Sequence, residues 1–159
     1  MADSAVVAGG KWTTYRSMAV DTVEAAIVAG KLQPKEGCKT EDTLLIGAHA
    51  FNPTLKIRLI QEYGMESQIA EHLTASYGDR APLVAELAGS TGRRWPVVGN
   101  RLSPGYPYIE AEVIYTIRHE MARTLVDVLA RRTRLAFLNA TAASDAIPRI
   151  ASIMQTELK

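Results

Sequence analysis

The sequence predicts an all-α fold, a compact multi-helix domain that follows a short N-terminal extended segment. Apolar residues recur at three- and four-residue spacing along most of the 159 residues, which marks helices with one buried face. Between those stretches, glycine stops alternate with Ser, Thr, Asn or Asp starts, the punctuation of short helices joined by tight connections. The early β-branched run Ala5-Val6-Val7-Ala8 reads as a strand, and it halts at Gly9-Gly10. A lone strand needs a ladder for its N–H and C=O groups. The rest of the sequence offers it no parallel sheet.

Thr13 or Thr14 caps a first helix running to about Ala29, with Tyr15, Met18, Ala19, Val23, Ala26 and Ile27 on its inner face. Gly30 ends it. Lys31–Asp42, with Pro34 and Gly37, reads as a loop, and Thr43–Ile46 as a short extended piece. Asn52-Pro53 joins a capping side chain to a proline whose missing N–H costs nothing at a helix start. That helix runs to Tyr63 and stops at Gly64. The next runs from Glu66 or Ser67 to Tyr77, stopped by Gly78, and another begins at Asp79 and turns Leu83, Val84 and Leu87 inward.

Gly89–Pro107 is the longest irregular stretch, of a kind that is often functional or packed on a neighbour. Ile109–Ala130 places Val113, Ile117, Met121, Leu125 and Val128 on one stripe, as one long helix or two abutting ones. The last helix, from about Thr141, uses Ile147, Ile150, Ala151, Met154 and Leu158. Pro148 near its first turns predicts a kink or a late start.

Composition excludes several classes. Lys and Arg total 18 against 17 acidic residues, without the basic excess that phosphate backbones demand, so no nucleic acid is expected as a partner. Cys38 stands alone, so an internal disulfide and a cysteine-based metal site are both ruled out. No apolar run is long enough to span a bilayer, and Met1–Gly10 lacks the pattern of a signal peptide. His49, His72 and His119 have no metal-ligand spacing, and no calcium loop is present, so no metal is expected. Ser17, Ser90 and Ser103 lack the setting of an activated nucleophile. Arg93-Arg94-Trp95 and the Arg131–Arg134 cluster read as structural cations, with Asp127 placed for an i,i+4 pair with Arg131 and Glu110, Glu112 and Glu120 as further partners.

The candidate site is Ala8-Gly9-Gly10-Lys11-Trp12-Thr13-Thr14-Tyr15-Arg16. Glycines permit close backbone approach to a ligand, free N–H groups and the helix dipole favour negative charge, and Lys11 adds a full positive charge. The pattern suits a phosphate or the electron-rich end of a reduced flavin. By itself the pattern is weak, and an ordinary glycine turn before a capped helix is the better reading of it.

Three stretches together resemble the FAD-dependent glycerol-3-phosphate dehydrogenases, above all the mitochondrial form. The first is the segment just named, continued to Ala19. The second is Gly92-Arg93-Arg94-Trp95-Pro96-Val97-Val98-Gly99 with Pro107-Tyr108-Ile109-Glu110-Ala111-Glu112-Val113. The third is Asp127–Leu138 with Ala146-Ile147-Pro148-Arg149-Ile150. The resemblance implies that residues 1–30 are the end of an FAD-binding domain and 43–159 a helical C-terminal cap domain. It implies a parent protein that oxidises glycerol 3-phosphate to dihydroxyacetone phosphate and passes electrons through FAD to quinone, as a peripheral protein of the inner mitochondrial membrane. Gly9, Gly10, Lys11, Thr13 and Thr14 map beside the flavin, with Lys11 also near the substrate. The dinucleotide-binding fingerprint is absent from this sequence. The chain alone is therefore expected to be inactive and to bind no FAD, with the missing FAD domain as its principal partner and a homo-oligomer possible. The competing reading is a self-contained helical interaction module that docks through the 89–107 loop and the arginine clusters.

Overall fold

The computed structural model describes residues 6–89 and 99–159. It is all-α, with seven α-helices among the described residues. The chain divides into two compact units, 1–44 and 45–159.

The first unit is built on α1 (Tyr15–Ala29), entered through a 3-10 turn at Trp12–Thr14. Val6–Ala8 pair with no strand among the described residues. The apolar stripe expected to face a core leaves Tyr15 and Val23 exposed, and no residue of α1 is buried. The rest of this unit is irregular chain before and after one helix, too little to form a core. Gly30 caps α1 in right-handed geometry, and Lys31 takes the left-handed position (φ 49°).

The second unit holds α2 (Leu55–Tyr63), α3 (Ser67–Tyr77), α4 (Ala81–Gly89), α5 (Glu110–His119), α6 (Leu135–Leu138) and α7 (Ala140–Glu157). The stops at Gly64 and Gly78 fall where the sequence puts them. At the start of α2, Asn52 Oδ1 accepts the Thr54 N–H and hydroxyl, both at 2.9 Å, so the first helical residue is Leu55. Thr43–Ile46 forms no strand. Asp79 lies in a 3-10 turn, and its carboxylate accepts the Ala50 N–H at 2.8 Å instead of capping α4.

Two core clusters share one wall. Leu59, Ile69, Leu73 and Val84 fill the first, and Leu135, Ala146, Ile150 and Met154 the second. Helix α5 stands between them, turning Ala111 and Tyr115 into the first and Val113 and Ile117 into the second. Its single expected stripe is thus one of two buried faces. The helix ends at His119, and the expected continuation is instead a separate π-helical turn, Asp127–Arg132. There the Thr133 N–H reaches Val128 O at 2.9 Å. Met121, placed inward by the stripe, lies between the two elements and is 84% exposed.

Helix α7 packs on α5 with salt bridges toward both ends of α5. Arg149 forks onto Glu110 at 2.6 and 2.7 Å, and Arg118 onto Glu157 at 2.6 and 2.9 Å. The sequence separation is 39 in both pairs, so the helices run parallel. Asn139 caps α7 by accepting the Ala142 N–H at 3.0 Å. Pro148 lies well inside this helix, which continues through it; of the kink or late start expected from the sequence, the late start does not occur.

Candidate functional site

Gly9, Gly10, Lys11, Thr13 and Thr14 form one exposed turn leading into α1. Gly9 has φ +99°, and a Cβ built on Gly9 or Gly10 meets nothing within 4 Å. The glycine backbone is therefore open to a flat ligand. Lys11 is extended (φ −135°, ψ 124°), and the chain then tightens into the 3-10 turn. Of the two caps the sequence offers, Thr13 lies inside the 3-10 turn and Thr14, at the N-cap position of α1, makes no side-chain cap bond. Its N–H and its hydroxyl both turn back to the Lys11 carbonyl, at 3.0 and 3.3 Å.

The turn borders a concavity of about 570 Å3 with Lys11, Trp12, Tyr15 and Met18 on its walls. Trp12 and Tyr15 stack at 5.2 Å between ring centroids, 28° from parallel, and Trp12 is 85% exposed. An aromatic shelf beside two bare glycines and a lysine offers an apolar face and a positive corner. No acidic residue occupies the first turn of α1, and Lys11 makes no ion pair among the described residues. Among the described residues neither the positive end of the helix dipole nor the ammonium is paired with an acidic group, a setting that favours an anionic ligand group. Trp12 and Tyr15 belong to the segment the sequence singles out, but their stacking on one another is seen directly only in the structure. Their i,i+3 spacing at a helix start was the available signal.

The remaining candidates resolve structurally. Arg131 pairs with Asp127, and Arg132 with Glu120 at 2.9 Å. Arg132 also lies over the Tyr77 ring at 4.2 Å and donates to Ser76 O at 3.3 Å. Burial pushes the Glu120 carboxyl up, against the opposing pull of Arg132. His72 Nε2 lies 2.8 Å from Glu112, His119 packs against Tyr115 at 4.7 Å, and His49 is exposed. No group able to hold a metal ion exists among the described residues. The Arg93-Arg94-Trp95 cluster lies outside the described residues.

Comparison with known proteins decides the family. Residues 38–159 match the model of the C-terminal domain of alpha-glycerophosphate oxidase. The chain belongs to that family. It is 55% identical over 152 residues to the mitochondrial glycerol-3-phosphate dehydrogenases of Bos taurus and Homo sapiens, covering 96% of this chain and 21% of each relative. The mitochondrial glycerol-3-phosphate dehydrogenase of Arabidopsis thaliana is 40% identical over 167 residues, covering 96% of this chain and 26% of the relative. The chain thus spans about a fifth of the length of the animal relatives. The family's C-terminal domain corresponds here to the two-cluster helical unit and the last residues before it, while the glycine-lysine turn precedes the matched region.

Proposed function

We propose that this chain works as the C-terminal part of a flavin-dependent glycerol-3-phosphate dehydrogenase and brings one corner of the flavin site with it. The observation that carries the reading is the Gly9-Gly10-Lys11 turn at the head of α1, in a chain similar over 96% of its length to a mitochondrial glycerol-3-phosphate dehydrogenase. The parent protein oxidises glycerol 3-phosphate to dihydroxyacetone phosphate and delivers the electrons to quinone. Its place is the inner mitochondrial membrane, as a peripheral protein. No helix among the described residues is long and apolar enough to cross a membrane.

The residues present fit one edge of a flavin. Gly9 and Gly10 leave the backbone unobstructed, and Trp12 with Tyr15 provides an aromatic wall. FAD, when bound, supplies the hydride acceptor. Lys11 contributes a fixed positive charge where negative charge develops as the flavin is reduced, and it attracts the substrate phosphate. The Thr13 and Thr14 turn holds the start of α1 beside them. The exposed stripe of α1 is the surface the FAD domain covers.

Expressing residues 1–159 alone and the full-length protein side by side tests the reading. The chain alone is expected to be colourless and inactive, and the full-length protein yellow and active with glycerol 3-phosphate. Stoichiometric flavin on the isolated chain would overturn the claim that it carries only one corner of the site.

A further inference from the structure

We propose that Thr14 is a positioning residue for Lys11, fixing where the ammonium stands through its hold on the Lys11 carbonyl. The inference rests on the flavin-facing reading of Lys11 given above.

Thr14 grips the Lys11 carbonyl oxygen twice, with its backbone N–H at 3.0 Å and its hydroxyl at 3.3 Å. The same hydroxyl lies 3.7 Å from Met18 Sδ. A thioether is the weaker acceptor, so the single hydroxyl proton serves the carbonyl. These bonds close the turn Trp12–Thr14 behind Lys11. On its other side, Lys11 follows two glycines with nothing packed against them, one at positive φ. Among the described residues no side chain restrains the N-terminal side of Lys11, and its carbonyl end is the one held by hydrogen bonds. Tilting that peptide swings the Cα–Cβ bond and with it the whole lysine side chain. A displacement of about 1 Å at a reacting centre is enough to lower a rate on the order of a hundredfold. Thr13 differs, since its hydroxyl has no partner among the described residues and remains free for a ligand.

The test uses the full-length dehydrogenase bearing Thr14→Val, Thr14→Ser, Lys11→Met, or Lys11→Met with Thr14→Val. The flavin midpoint potential and kcat/KM are measured per bound flavin. Thr14→Val, which keeps the shape and loses the hydroxyl, is expected to lower kcat/KM about five- to tenfold. It should also lower the midpoint potential in the same direction as Lys11→Met. Thr14→Ser is expected to restore both, and Thr14→Val is expected to add nothing once Lys11 is methionine. If Lys11→Met changes neither quantity, the flavin-facing reading of Lys11 falls and this inference with it. If Lys11→Met acts while Thr14→Val does nothing, or if Thr14→Val is equally damaging in the Lys11→Met background, the positioning role alone is overturned.

Discussion

The Tyr77 hydroxyl donates to Glu112 Oε2 at 2.9 Å, a bond from α3 to the helix that both core clusters share. Glu112 is 2% exposed. Its other oxygen accepts the Ile109 N–H at 2.8 Å, and His72 Nε2 lies 2.8 Å from Oε2. A buried carboxylate is tolerated only when its lone pairs are met, and here they are met from two elements. The Arg132 guanidinium over the Tyr77 ring extends the contact to the π-helical turn. Tyr77→Phe keeps the ring and removes one donor to Glu112. It is expected to lower the unfolding free energy by about 1–2 kcal/mol in urea titrations, and Tyr77→Leu by more, because the ring is lost as well.

Two glycines cross where the chain enters the second unit. A Cβ on Gly78 (φ +55°) would stand 2.0 Å from the Gly47 carbonyl oxygen, which accepts the Asp79 N–H at 2.8 Å. Neither atom belongs to a flexible side chain, so the backbone itself must separate. Gly78→Ala is expected to cost upward of about 3 kcal/mol. Gly105→Ala, at φ +82° with open space around it, should cost about 1 kcal/mol from conformational strain alone. Thermal unfolding of the two variants separates the contributions.

Met121 holds a left-handed backbone (φ 59°) while 84% exposed, so it carries strain with almost no burial to offset it. Met121→Gly is expected to raise stability by about 1 kcal/mol. A fall in melting temperature would show that the side chain makes a contact worth more than the strain.

Asp127 is one source of acid sensitivity. The Arg123 N–H, then the hydroxyl and N–H of Thr124, hold its carboxyl well below the ordinary value of 3.8. The folded value lies below the unfolded one. Its stabilisation is therefore complete above about pH 5 and fades as the pH falls through about 4 and lower. Asp127→Asn is expected to be less stable at pH 7 and to show a flatter decline on acidification. Denaturant midpoints measured across that range give the comparison.

The parts of this fold legible in the sequence are those with local causes. Gly64 and Gly78 end helices through their own backbone freedom, and Asn52 satisfies the Thr54 N–H two residues on. The Asn139 cap, two residues before the expected start of the last helix, was not read from the sequence. Non-local causes left no such mark. The periodicity of α5 shows one stripe, because Ala111 and Tyr115 do not announce a second buried face. Nothing near Gly47 signals that Gly78 lies against it, and Asp79 looks like a cap until Ala50 is found beside it. At the site, the glycine-lysine turn was visible as a motif. The double grip of Thr14 and the Trp12–Tyr15 stack required the path of the chain.

Lys11 carries the proposed charge stabilisation at the flavin, and glycerol 3-phosphate oxidation per bound flavin in the full-length Lys11→Met protein tests that role directly. Flavin content is expected to remain while kcat/KM falls about 100- to 1000-fold, the size of losing one preorganised charge-stabilising group. Wild-type kcat/KM at full flavin occupancy would contradict it.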